Sequence, residues 1–434
     1  MPHVLQVLLF LTLVTVASKG SGYLSARFGQ PAVFGEILAG LILGPSLLNV
    51  LGWSLFVSQA EGFVPHPDLG GVVHDLAEIG VILLMFVAGM ETDLDEMRRV
   101  GKVAFRAALG GVLLPLAGGA AVARLFGFTW NEGLFMGAVL TATSVSISAQ
   151  TLMELGSLRS KEGSTILGAA VIDDVMGIII LSLIVAFEGG EVAAPLPGAA
   201  SGPEVAARGG ALLWICARMA LFFVVAWVLG RRYLERIAAA ASRLRVSEPL
   251  MALVVVVAFL YAWAAEALGG IASITGSYMA GLLFARTSFK ERIERGIRPL
   301  TYSFFVPVFF INIGLQADVT RLGSRLALTL AVIGIAIVGK VAGCGLMARS
   351  AGFSWTEAYR VGVGMISRGE VGLIVAGYGL VHGIIGNDIF SVMVLMVLIT
   401  TMVTPLWLRS VFPRGPEPRP AEDVYESVAH LERK

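Results

Sequence analysis

Apolar stretches long enough to cross a lipid bilayer recur from one end of this chain to the other. Spanning the hydrocarbon takes about 20 mostly apolar residues. Candidate spans lie near 3–27, 31–46, 70–91, 101–126, 131–156, 163–187, 210–230, 247–267, 271–286, 299–317, 324–348, 355–382 and 387–411, about thirteen in all. The spans at 31–46 and 271–286 are short, and the first carries Lys19. The pattern predicts an all-α polytopic membrane protein. Composition agrees: 56% of the 434 residues are hydrophobic and 15% charged, against about 45–50% and about 25% in soluble domains. That excludes a soluble enzyme and a disordered chain. A net charge of +1 gives no sign of a nucleic-acid partner, and Cys216 and Cys344 offer neither a disulfide framework nor metal-ligand spacing. The 52 glycines suit close helix packing in lipid.

Lys and Arg in short loops set the orientation. One set of loops carries Arg98, Arg99, Lys102, Arg159, Lys161, Arg231, Arg232, Arg236, Arg243, Arg245, Arg286, Lys290, Arg292, Arg295 and Arg298, and the tail adds Arg414 and Arg419. The opposite loops are nearly free of them: 47–69 has none and 188–209 has only Arg208. The N-terminus is therefore expected outside and the C-terminus in the cytoplasm, with an odd number of spans in a cell (inner or plasma) membrane. VLQVLLFLTLVTVAS has the look of a secretory signal, but no Lys or Arg precedes it, so it reads as the first span. The loop 188–209, rich in Gly, Pro, Ala and Glu, separates the first six spans from the rest and is expected to be flexible. The polar tail 413–434 is too short for a nucleotide-binding domain.

Ionisable groups at bilayer depth cost about 2.5–3.5 kcal/mol each on insertion scales, so each calls for a partner, a water cavity or a function. Asp173 and Asp174, in GAAVIDDVMGIIILSLIV, are the sharpest case. Adjacent helix residues point about 100° apart, so the two carboxylates can serve different partners. Like charges this close repel, which suits the pair to proton exchange. Lys340 lies about fifteen residues into ALTLAVIGIAIVGKVAGCGLMA and is a natural counter-ion for one of them. Glu36 and Glu78 are further acids in apolar surroundings, while Arg218, Glu266, Arg360, His74 and His382 lie near span ends.

Two spans look interrupted. AVLTATSVSISAQTL at 138–152 places Thr141, Thr143, Ser144, Ser146 and Ser148 in mid-membrane. GVGMISRGEVGLI at 362–374 places Arg368, Gly369 and Glu370 there. Interrupted helices at corresponding places in two halves mark a transporter's binding site, because unwound ends present carbonyl oxygens and dipoles to an ion. These are the fifth and twelfth spans. With the seventh set aside as a linker, each is the fifth of a six-helix half, as an inverted repeat requires. Arg368 and Glu370 read either as a local pair stabilising the crossing or as groups near the ion.

Taken in order, QPAVFGEILAGLILGPS at 30–46, LAEIGVILLMFVAGMETDL at 76–94, TATSVSISAQTLMELG at 141–156, LGAAVIDDVMGIIILS at 167–182, GKVAG around Lys340 and MISRGEVGLIVA at 365–376 resemble the bacterial monovalent cation/proton antiporters. The likeness covers nearly the whole membrane part and is strongest to the paired-aspartate sodium/proton type, with SRGE at 367–370 similar to the spore-germination members. It implies an NhaA-type fold: a thirteen-helix homodimer whose six-helix core domain carries the ion past a dimerisation domain by an elevator motion. The membrane domain would occupy 1–412, with repeat one near 3–187, a linker helix near 210–230 and repeat two near 247–411, before the tail 413–434. By the same resemblance Asp174 takes the cation or a proton, Asp173 pairs with Lys340 while remaining near the cation, and Thr143 and Ser144 add ligands. The cargo is a monovalent cation and a proton, with no resident cofactor. Many potassium-efflux relatives have Gln in place of Asp173 and a nucleotide-binding domain. This chain has neither, which favours Na+ or Li+; some SRGE-bearing relatives handle K+, so K+/H+ exchange is the alternative.

Other classes fit less well. An intramembrane aspartyl protease draws its acids from two helices, one with Gly-x-Gly-Asp, whereas these acids are adjacent. A sodium-coupled solute symporter would not need the buried lysine. A channel would not need buried countercharges and broken helices.

Overall fold

The structure, a computed structural model, describes residues 2–28, 30–53, 55–56, 69–187, 208–316, 325–381 and 383–412. Residues 188–207, His382 and the tail 413–434 lie outside the described residues, and with them the readings made there. All regular elements among the described residues are helical: α1 (His3–Arg27), α2 (Ala32–Leu43), α3 (Leu69–Glu91), α4 (Leu94–Leu125), α5 (Trp130–Thr141), α6 (Val145–Glu154), α7 (Lys161–Phe187), α8 (Arg208–Ala241), α9 (Pro249–Ala264), α10 (Ser273–Phe284), α11 (Lys290–Leu300), α12 (Val306–Leu315), α13 (Leu326–Ser350), α14 (Trp355–Gly364), α15 (Glu370–Val381) and α16 (Asn387–Val411). Nine stretches among the described residues are long and apolar enough to cross a membrane, counting α5 with α6 and α11 with α12 as single stretches.

Local chemistry fixes where several helices begin. The Asp93 side chain accepts from the Asp95 and Glu96 amides and starts α4. Reciprocal capping boxes, Thr129 with Glu132 and Ser354 with Glu357, start α5 and α14. Such caps satisfy amides that have no partner inside the helix. A π-helical turn at Thr301–Phe305 joins α11 to α12, next to Pro307, which has no amide hydrogen for the ladder.

Two boundaries differ from the sequence reading. The basic residues from Lys290 to Arg298, read as a loop, form the amphipathic α11. Ile293 and Ile297 are buried, and Lys290–Glu294 and Glu291–Arg295 pair one turn apart at 3.9 and 3.4 Å; a 3.6-residue period overrides the high charge. The seventh span, read near 210–230, continues to Ala241, with Arg231, Arg232 and Arg236 on its last turns.

The helices pack in two groups. In one, α4 lies against α13, α5 and α7, and α13 against α14 and α16, with α15 on α5 and α16. In the other, α3 lies against α10 and α12, α2 against α1 and α12, and α9 against α10. The groups meet where α6 touches α2 and α3 and where α16 touches α2. Long α8 contacts α7, α9 and α10.

The α4–α13 contact depends on paired glycines. A Cβ on Gly110 would fall 2.2 Å from the Gly343 carbonyl oxygen, and one on Gly343 would fall 2.3 Å from that of Gly110. Gly343→Ala must push the two backbones apart, and overpacking of this kind costs about 1–3 kcal/mol. We expect a lower melting temperature in detergent for Gly343→Ala. Gly334→Ala, on the same helix with nothing within 4 Å, should melt at or above the wild-type temperature. An unchanged Gly343→Ala would contradict this packing.

Candidate functional site

Both polar interruptions are unwound, and they meet. α5 stops at Thr141, Ala142 and Ser144 are extended, and α6 restarts at Val145. α14 stops at Gly364, and α15 restarts at Glu370. The Ser144 amide donates to the Ser367 carbonyl at 2.9 Å, and the Ser367 hydroxyl donates to the Ser144 carbonyl at 2.7 Å. Ser148 donates to the Gly364 carbonyl at 2.6 Å, and its hydroxyl lies 3.0 Å from that of Ser367. Backbone groups released by one break are thus taken up by the other, as burial away from water demands. Serine and threonine favour such breaks because their hydroxyls compete for backbone groups.

Arg368 is fully buried in the second break. Its guanidinium donates to the carbonyls of Met365, Ile366 and Ala336 at 3.3, 2.9 and 3.3 Å. Two of these oxygens follow the C-terminal end of α14, where the helix dipole favours a cation. Its own carbonyl accepts from the Thr401 hydroxyl. Glu370 opens α15, but its side chain lies outside the described residues, so a local pair with Arg368 does too.

Beside the first break lie the charged groups of α7 and α13. Lys340, with no exposed surface, places Nζ 3.0 Å from both carboxylate oxygens of Asp173, itself 2% exposed. The Thr143 hydroxyl donates to Asp173 Oδ2 at 2.6 Å, which links the break to the ion pair. Ala336, whose carbonyl takes Arg368, precedes Lys340 by one turn, so two buried cations approach one stretch of α13. Asp174 is 9% exposed, and its Oδ2 accepts from the Thr275 hydroxyl of α10 at 3.3 Å. The Ser144 hydroxyl lies 3.1 Å from that of Ser146.

The other acids have local partners. Glu36 accepts from Ser18 at 2.9 Å. Glu78 lies 3.3 Å from His74, whose Nδ1 is 3.2 Å from the Gln316 amide nitrogen. Arg360, read as a residue of a span end, reaches the buried Glu162 at 2.7 Å and the Val411 carbonyl.

Sequence reasoning gave no role to four polar groups: Ser367 and Glu154, both inside quoted motifs, Glu162 and Thr275; Glu154 caps α2 by accepting from the Ala32 amide at 2.8 Å. The available signal for Thr275 was a hydroxyl in a span too short to cross on its own.

Removing one partner of a buried ion pair typically costs about 3–5 kcal/mol, since the other charge stays buried alone. Lys340→Ala should therefore lower the melting temperature markedly, and Lys340→Gln less, because an amide can still donate to Asp173. Equal melting of Lys340→Ala and wild type would show that the pair carries no such weight.

The sodium/hydrogen exchanger transmembrane family matches residues 10–413. The Na(+)/H(+)-K(+) antiporter GerN of Bacillus cereus is 36% identical over 93% of this chain and 95% of its own length. The Na(+)/H(+) antiporter of Enterococcus hirae is 33% identical over 92% of this chain and 96% of its own. Among solved structures, the sodium proton antiporter MjNhaP1 of Methanocaldococcus jannaschii shares the fold, with a TM-score of 0.63 over 94% of this chain at 16% identity. A match over nearly the whole length, on a helical membrane scaffold, leaves no enzyme reading: this chain belongs to the sodium/hydrogen exchanger family of cation/proton antiporters.

Proposed function

We propose that the chain exchanges Na+, or Li+, for H+ across the cell membrane, with cation and proton competing at Asp174. The observation that carries this reading is the Lys340–Asp173–Thr143 arrangement beside Asp174, where two unwound helices meet. Asp173 is committed to Lys340, so its neighbour is the carboxylate that changes occupant. Thr143, Ser144 and the carbonyls of the break supply further oxygens for a hard cation, with Asp173 close by. Arg368 holds the second break, and Glu370 is assigned to the same crossing.

In this reading the chain crosses thirteen times, the N-terminus outside and the C-terminus cytoplasmic. Spans one to six and eight to thirteen form inverted repeats around the α8 linker. The group of α4–α7 and α13–α16 moves as the core domain, and that of α1–α3 and α9–α12 forms the dimerisation domain of a homodimer. A bare carboxylate at bilayer depth costs about 2.5–3.5 kcal/mol, which slows an empty crossing by about two orders of magnitude. Loading with a proton or a cation removes that penalty, so loaded crossings dominate and exchange is obligatory. K+/H+ exchange is the second reading, supported by the K+ in the name of the GerN relative. A sodium-coupled solute symporter is disfavoured by the buried lysine.

Two outcomes are expected in proteoliposomes. Asp174→Asn should fold but exchange at background, and wild-type proton flux in that variant would refute the mechanism. In the wild type, the apparent KM for Na+ should rise by about tenfold per pH unit on the acid side of the competition, with little change in maximal rate. A flat KM with a changing maximal rate would mean separate proton and cation sites. Running the same series with Li+ and K+ decides the cation.

A further inference from the structure

The hydroxyl of Thr275 crosses the seam between the two helix groups. Asp174 is on α7, which packs with α4, α5, α6 and α14, and Thr275 is on α10, which packs with α3 and α9. Both residues are buried, and the hydroxyl oxygen lies 3.3 Å from Asp174 Oδ2.

Threonine hydroxyls in this protein usually bond back along their own helix. Thr151, Thr165, Thr301 and Thr404 donate to the carbonyls of Ile147, Lys161, Ile297 and Thr400, four residues earlier, at 2.7–2.9 Å. Thr275 is the third residue of α10, so the residue four before it, Ile271, is outside the helix. The hydroxyl is left to face the neighbouring group. The first turn of a helix also favours a carboxylate through its dipole.

The geometry points to Thr275 as a positioning residue that holds the unloaded Asp174 carboxylate across the seam and lets go when a cation is loaded. This rests on Asp174 being the shared site. The bond exists only while the two groups sit in this relation. It stabilises the empty form of this conformation and opposes cation binding to it. A direct ligand role for Thr275 predicts the opposite sign, because deleting a ligand weakens binding.

The test is Na+ binding to the purified protein by titration calorimetry at one alkaline pH, with KM and maximal rate from transport. Thr275→Val keeps the shape and removes the hydroxyl, and Thr275→Ser keeps the hydroxyl. We expect Thr275→Val to bind Na+ about threefold to tenfold more tightly, as loss of one long hydrogen bond of ordinary net strength implies. Its KM should fall in parallel, with Thr275→Ser within about twofold of wild type. An unchanged affinity overturns the proposal, and a weaker one overturns it in favour of Thr275 as a cation ligand. If Thr275→Val yields no folded protein, Thr275→Ala is judged by the same criterion. Asp174→Asn run alongside separates the two failures. If it exchanges normally, the reading of Asp174 fails; if it is inactive while Thr275→Val binds as wild type, only this inference fails.

Discussion

Burial of the Lys340 ammonium governs how the site is arranged. Away from water it needs a close opposite charge and filled hydrogen bonds, and Asp173 supplies both carboxylate oxygens at 3.0 Å. A further lone pair of Asp173 is taken by Thr143. Thr143 can reach it because α5 ends two residues earlier, and α5 can end there because Ser367 and Ser148 tie the two breaks together. Ion pair and crossing are therefore one construction. Buried pairs contribute little net stability compared with well-packed apolar groups, so the pair is better explained by what it does to its neighbour than by stability.

The adjacent aspartates have different partners, and in the proposed mechanism that difference selects the one that exchanges. Disrupting the ion pair at Asp173 costs about 3–5 kcal/mol. The Thr275 hydroxyl at Asp174 makes a longer contact, 3.3 Å, and a hydrogen bond of that kind is worth about 0.5–1.5 kcal/mol. In the proposed mechanism the cation enters at Asp174, whose bond to Thr275 is the weaker of these two contacts. Their roughly 100° separation around α7 aims one carboxylate at α13 in its own helix group and the other at α10 across the seam.

Much of this was legible in the sequence because membrane chemistry exaggerates it. Apolar run length locates the long helices, and a Ser/Thr run such as 141–148 inside one marks an interruption, since hydroxyls compete for the backbone. A lysine fifteen residues into an apolar span needs a carboxylate, although the choice of Asp173 over Asp174 came only from family resemblance. The amphipathic α11 was hidden by its charge, although Ile293 and Ile297 carry the helical period. The reach of Glu154 to the α2 amide and of Thr275 to Asp174 depends on helices 122 and 101 residues apart in the chain. No local pattern encodes those contacts, because packing alone brings the helices together.

The central claim is that one carboxylate serves proton and cation in turn. Its most direct test is the number of protons released when Na+ binds the purified protein in weakly buffered solution, measured from neutral to strongly alkaline pH. The account predicts release that approaches one proton per bound cation where the site is protonated and falls toward zero as the pH rises, with neither binding nor release in Asp174→Asn. Cation binding without proton release at any pH would contradict it.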